Sequence, residues 1–196
     1  MVFIGRESIL SIDMSDCKRL EKLHDAIRNC TLCPLHETRN NAVPGEGPCD
    51  ASLMLVGEAP GAKEDETGRP FVGRSGQFLT TLLEEIGFSR EEVFITSILK
   101  SRPPKNRAPT QFEVNICRPY LEQQIELIKP RIIVLLGGVA ISSLIGPWKV
   151  SESHGRFYEN ESQTYFMTYH PAAALRFPKV KSLMRDDFKI LKQEIH

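Results

Sequence analysis

The sequence predicts an α/β fold, a central and mainly parallel sheet of four strands flanked by helices. Three observations predict it. Four short apolar runs have the length of buried strands. Longer segments with apolar residues three and four apart alternate with those runs. Hydrophobic residues make up 41% and charged residues 26% of the 196, the composition of a chain that buries a core. We read residues 1–196 as one domain, with residues 1–16 as a flexible lead.

The elements follow in order. Leu20, Leu23 and Ile27 share one face of a helix from about Cys17 to Arg28. A Gly-, Pro- and Asn-rich loop, Asn40–Asp50, precedes a first strand, Leu53–Gly57. The long loop Glu58–Arg74 comes next, and loops of that length are uncommon unless functional. Ser75 is placed to cap a helix whose stripe is Phe78, Leu79, Leu82, Leu83 and Ile86, with Gly87 ending it. Val93–Leu99 is the second strand and Ser101–Pro109 a Pro- and Arg-rich loop. Thr110 and Glu113 form a capping box opening a helix to about Ile128. Ile132–Leu136 is the third strand, turned by Gly137–Gly138 into another helix. Thr164–Tyr169 is the fourth, followed at once by His170–Pro171, and the chain is helical from Val180. Strands alternating with helices make a parallel sheet, and ligands of such sheets sit beyond the strands' carboxyl ends. The loops Glu58–Arg74, Lys100–Pro109 and His170–Arg176 are therefore expected along one edge.

Composition narrows the classes of function. Roughly 18 consecutive apolar residues would be needed to span a membrane, and no such run exists. Met1–Leu10 lacks the pattern of a secretion signal, so a cytoplasmic location is expected. The net charge is zero, which leaves nucleic-acid binding to local patches. Two exist: Lys100, Arg102, Lys105 and Arg107, and then Arg176, Lys179 and Lys181. The cysteines at 17, 30, 33, 49 and 117 are odd in number, which argues against a disulfide framework.

The most informative run is Gly57-Glu58-Ala59-Pro60-Gly61, followed by Glu64-Asp65 and Gly68-Arg69-Pro70-Phe71-Val72-Gly73-Arg74. Glycines around a carboxylate let backbone approach a ligand closely. An aromatic ring and two arginines suit a base and a phosphate backbone. The same residues also suit a solvated loop around a packed phenylalanine. Cys30-Thr31-Leu32-Cys33 aims two thiols at one point, and Cys117 on a helix can complete a site. By spacing alone that pair is open to zinc, redox or iron–sulfur use.

Taken together, GEAPG…EDETGRPFVGRSGQFL, SRPPKNRAPT and HPAAALR resemble, in order and spacing, the motifs of family 4 uracil-DNA glycosylases. The resemblance runs from about Asn29 to Phe177 and implies a uracil-DNA glycosylase-like fold. The implied activity is hydrolysis of the N-glycosidic bond of uracil in DNA, with other deaminated bases open. Glu58 stands where a carboxylate positions the attacking water, and His170 where a histidine stabilises charge on the departing base. Phe71 stands where a ring stacks on that base. Gly57, Ala59, Gly61 and Ser97 complete the expected base pocket. Arg69, Arg74, Arg102 and Arg176 are expected on phosphates, and Leu175 as a wedge filling the vacated stack. The family also implies a structural 4Fe-4S cluster, here on Cys30, Cys33 and Cys117.

Two departures stand out. Ser101 replaces the cysteine of the family's KCRPP segment, leaving the fourth cluster ligand open, and a serine oxygen is a harder ligand than a thiolate. Ser97 falls where some members carry an asparagine that reads the uracil edge, which leaves base preference open. Cys17 and Cys49 have no family role; Cys49 is open as a substitute cluster ligand, but a buried structural cysteine is the favoured expectation. A monomer binding uracil-containing DNA is the expected state. The rival reading is an iron–sulfur DNA-binding protein of the same fold with weak catalysis. A nucleotide-binding enzyme is disfavoured, because neither GxGxxG nor GxxxxGK[ST] follows the first strand.

Overall fold

In the computed structural model, residues 14–160 and 162–195 are described. Most of the expected flexible lead, residues 1–13, lies outside them, while Met14–Asp16 already belong to the first helix. The helices are α1 (Met14–Arg28), α2 (Ala62–Thr67), α3 (Arg74–Glu85), α4 (Gln111–Ile128), α5 (Gly138–Leu144), α6 (Val150–Ser153), α7 (Pro171–Ala174) and α8 (Pro178–Ile195). The strands are β1 (Leu53–Gly57), β2 (Phe94–Ser97), β3 (Ile132–Leu136), β4 (Arg156–Glu159) and β5 (Thr164–Thr168).

Among the described residues the sheet has five strands, ordered β2-β1-β3-β5-β4. β1 pairs in parallel with β2 and β3, and β3 with β5. β4 pairs antiparallel with β5. The expected sheet of four strands thus gains an edge strand. β4 escapes sequence reading because it is short, carries charge at both ends and is only half-buried in its middle. That is how an edge strand reads.

Period-two alternation sends each buried strand's side chains to two faces. Met54 and Val56 of β1 and Ile133 and Leu135 of β3 join one core with residues of α1, α4 and α5. Leu53, Leu55, Ile132 and Val134 join the other, against Leu79, Leu82 and Leu83 of α3 and Phe188 of α8. These strands are apolar throughout because both faces are covered.

Two further details differ from expectation. The loop 58–74 contains α2, six residues without apolar periodicity, started by the Glu64 carboxylate accepting the Gly61 amide at 3.1 Å. Helix α3 begins two residues early, at Arg74 after its cap Gly73, so Ser75 lies in its first turn and is not its cap. The capping box of α4 forms as read: Thr110 Oγ1 accepts the Glu113 amide at 3.3 Å, and Glu113 Oε2 accepts the Thr110 amide at 2.8 Å.

Cys17 and Cys49 are joined in a disulfide, with Cα atoms 5.2 Å apart across a separation of 32 residues. This corrects the expectation of an unpaired, buried Cys49: both residues are half-buried. The docking of α1 on α4 and the turn before β1 bring the pair together, a tertiary juxtaposition that cysteine spacing does not reveal.

Candidate active site

The loops after β1, β2 and β5 meet at the carboxyl edge of the sheet, as a parallel sheet requires. They enclose a cavity of about 340 Å³. Glu58, Ala59, Gly61, Phe71, Ser97, His170 and Arg176, all foreseen from the sequence, line it. Gly57 sits behind the wall. A Cβ on Gly57 would lie 2.5 Å from the Phe71 ring and 3.4 Å from Ser97 Oγ, so only glycine lets that ring and β1 come this close.

Three side chains carry chemical potential. Glu58 follows β1 directly and is half-buried, and burial pushes its carboxyl above the usual carboxylate range. Ser97, the last residue of β2, is buried. His170 follows β5 and caps α7, where its Nδ1 accepts the Ala172 amide at 3.1 Å. Burial lowers its pKa to about 4, against an opposing pull from the Glu64 carboxylate. At neutral pH the ring is therefore uncharged. With Nδ1 an acceptor, its proton sits on Nε2, and the free edge of the ring is a hydrogen-bond donor. The Phe71 ring lies beside it, with centroids 5.7 Å apart and planes inclined by 32°.

Phe71 has φ 49°, which is unusual for an aromatic residue. The surrounding polar contacts pin its loop. Glu64 Oε1 accepts the amides of Val72 and Gly73, each at 2.9 Å, while Oε2 holds Gly61. Asp65, buried beneath, accepts the Asn40 amide and side chain at 2.9 Å. Arg90 donates to the carbonyls of Pro70 and Phe71. Glu64, Ser75, Asn106 and Arg107 also line the cavity. Sequence reading gave them no role there. For Glu64 the available signal was a carboxylate set between glycines in the first motif.

The expected phosphate contacts are placed unequally. Arg74 and Arg176 are exposed, Arg176 at the cavity wall. Arg69 forms a two-pronged pair with Glu46, at 2.6 and 2.9 Å. Arg102 donates to Asn106 Oδ1 at 2.7 Å and so braces the cavity rim. Leu175 is 41% exposed, and its neighbour Phe177 58%.

Cys30, Cys33 and Cys117 are free, and each lies within electrostatic reach of the others. Cys33 and Cys117 are buried, and burial pushes both thiols up. The Tyr120 hydroxyl is pushed up to about 12 by burial and by its hydrogen bond with Cys30. Ser101 is buried, and its hydroxyl accepts from Arg39 Nη1 at 2.8 Å. The second nitrogen of that guanidinium donates to the carbonyls of Arg28 and Cys30 at 2.9 and 2.8 Å. Among the described residues, no group of three or more His, Cys, Asp or Glu side chains is arranged to hold a metal ion. The donor chemistry fits an iron–sulfur cluster at three positions, with soft thiols of which two are buried and that of Cys30 half-buried. At the fourth it supplies a hydroxyl already engaged with Arg39.

Comparison with known proteins agrees with this geometry. The Uracil DNA glycosylase superfamily profile matches residues 44–192. The chain is 48% identical to the type-4 uracil-DNA glycosylase of Pyrobaculum aerophilum over 177 residues, covering 86% of this chain and 90% of that one. It is 44% identical to the type-4 enzyme of Saccharolobus solfataricus over 186 residues, covering 90% and 86%. The type-4 enzyme of Thermotoga maritima is 44% identical over 160 residues, covering 80% and 83%.

Proposed function

The chain belongs to the uracil DNA glycosylase superfamily, and from that premise we propose how its cavity cuts a base from DNA. It is a uracil-DNA glycosylase, a hydrolase of DNA repair. The observation that carries the mechanism is the convergence of Glu58, Phe71, Ser97 and His170, from two loops and the end of β2, on one cavity.

Breaking the N-glycosidic bond builds positive charge on the sugar and negative charge on the base. The uracil leaves the stack and enters the cavity, where the Phe71 ring offers a face that offsets part of the unstacking cost. The Nε2–H of neutral His170 donates to a uracil carbonyl oxygen and stabilises the charge that accumulates there. Glu58, ionised, orients a water toward the sugar carbon and opposes the positive charge on the ring. Water adds to the sugar, its proton passes to Glu58 or solvent, and uracil departs as an anion. Ser97 meets the base edge with a hydroxyl. Arg74 and Arg176 face the phosphate backbone, and Leu175 fills the vacated stack. The acting unit is a monomer.

An iron–sulfur cluster would be held by Cys30, Cys33 and Cys117 with Ser101 at the fourth position, and its contribution is structural. No step of the reaction passes through it.

The decisive experiment incubates the purified protein with an oligonucleotide carrying one uracil and looks for an abasic site. Intact strands after prolonged incubation, with binding retained, would overturn the assignment.

A further inference from the structure

We propose that Arg90 is a positioning residue for base excision, fixing the backbone of Phe71 so that its ring faces the cavity. The proposal rests on the reading of Phe71 as the surface on which the base stacks.

Arg90 opens the short helical turn Arg90–Glu92 and sits 19 residues beyond Phe71. Its side chain is only 12% exposed. Nη1 donates to the Phe71 carbonyl at 3.1 Å, and Nη2 donates to the Pro70 carbonyl. These two carbonyls bracket the φ and ψ angles of Phe71. A rigid fork bound to both therefore holds both angles at once. Such a hold is needed, because a non-glycine residue at φ 49° stays there only when its surroundings over-determine it.

The fork is itself fixed. Its Nε donates to Glu46 Oε1 at 3.2 Å, so the buried cation has a counter-charge. Glu46 is tied by backbone hydrogen bonds to Ile95 on the outer edge of β2, and its carboxylate is shared with Arg69. The other side of Phe71 has no slack. A Cβ on Gly76 would lie 1.8 Å from the Phe71 carbonyl oxygen, and one on Gly57 would strike the ring. A small rotation at Phe71 would therefore move the ring against β1 and change its relation to His170. Lysine at position 90 keeps the charge but cannot bind two carbonyls in fixed geometry.

The test is a double-mutant cycle read by single-turnover excision of uracil. The proteins are the parent, Phe71→Ala, Arg90→Lys and the double variant, each with its melting temperature measured. Phe71→Ala should slow excision by roughly 5- to 150-fold, the range for loss of one base–aromatic stack. Arg90→Lys should slow the parent by about fivefold or more and cause no further loss in the Phe71→Ala background. Losses that multiply in the double variant, or parent-like excision by Arg90→Lys, would overturn the Arg90 proposal while leaving the platform intact. Parent-like excision by Phe71→Ala would overturn the platform reading, and the Arg90 proposal with it. Should Arg90→Lys fail to fold, Glu46→Gln removes the counter-charge and leaves the arginine. Its loss should likewise vanish in the Phe71→Ala background, and a loss that persists there would overturn the proposal.

Discussion

At the scale of single residues, the site depends on two groups whose protonation is set by burial. In the proposed mechanism Glu58 serves as a carboxylate and His170 as a neutral donor, both acting on charges present mainly in the transition state. Glu58→Gln and His170→Ala should each slow excision by about 10²–10³, the usual cost of one such donor, with DNA binding nearly unchanged. The pH profile should share this logic. Burial raises Glu58, so activity should fall with acidification earlier than an ordinary carboxylate would dictate. His170 titrates at about 4, so its protonation contributes only at lower pH. A single-turnover profile with an inflection near 6.5 that disappears in His170→Ala would contradict this assignment. Ser97 tests base choice. A hydroxyl rotates and makes fewer fixed contacts than an amide, so discrimination at the base edge should be loose. Uracil should be the best substrate, with slow excision of hypoxanthine or xanthine. Ser97→Asn should speed uracil excision and narrow that range. Identical rates on a panel of single-lesion oligonucleotides would place Ser97 away from the base edge.

At the scale of elements, the loop between β1 and α3 is a folded unit whose polar side chains replace the regular pairing it lacks. One carboxylate, Glu64, accepts three backbone amides, and a loop so tied holds Phe71 and Glu58 in register. Glu64→Ala leaves three part-buried amides without that acceptor, each worth about 1–3 kcal/mol if left unsatisfied. It should lower the melting temperature and slow excision together. Glu64→Gln keeps an acceptor oxygen and should recover much of the stability. Equal stability of parent and Glu64→Ala, by chemical denaturation, would show that the loop is held otherwise. This loop also marks where the sequence stops being legible. Four strands and the helices α1, α3, α4 and α8 declare themselves through periodicity and caps, because burial on one or two faces writes a pattern into the chain. β4 and α2 write none, one being a half-exposed edge and the other too short for a stripe. In the site, Glu58, Phe71, Ser97 and His170 were legible from motif order. The part played by Arg90 was not, because it contacts main-chain carbonyls and no residue type announces that. The Cys17–Cys49 pairing was hidden for a related reason, since it depends on where the segments dock.

At the scale of the whole molecule, the chain joins segments far apart in sequence through its cysteine-lined corner. Arg39 and Ser101 already link the 30–33 turn to the loop after β2, and Cys117 adds α4. A cluster on three thiols and a hydroxyl should be less firmly held than one on four thiols. Ser101→Cys should therefore raise iron per protein and thermal stability, because metal binding is coupled to folding. Protein containing zinc and no iron would sink this expectation.

Global stability should also fall on mild acidification, for a reason separate from that corner. His24 and His170 are both lowered to about 4 by burial, and nearby Lys100 and Arg28 add to the effect at His24. In the unfolded chain each returns to its ordinary value near 6.5. Between those values the unfolded chain binds more protons than the folded one, so stability decreases as pH falls. The slope is at most about 1.4 kcal/mol per pH unit for each proton, and less where solvent reaches the ring. Glu58 and Asp187 act with the opposite sign, since burial raises both and the folded protein keeps their protons longer. Their effect enters nearer the carboxylate range and should flatten the curve there. Glu113, held near 2 chiefly by Arg107, adds a loss of stability only in stronger acid. Lys100, lowered to about 7 by burial, acts with the same sign as the histidines but mainly at and above pH 7, so the histidines should dominate between about pH 6.5 and 5.5. Denaturant unfolding across that window should show stability decreasing toward the acid end. His24→Gln and His170→Gln should each remove part of the slope, whatever each does to stability at neutral pH. A slope unchanged in the double variant, or stability that rises toward pH 5.5, would show that the two rings are not the groups that resist protonation in the folded protein.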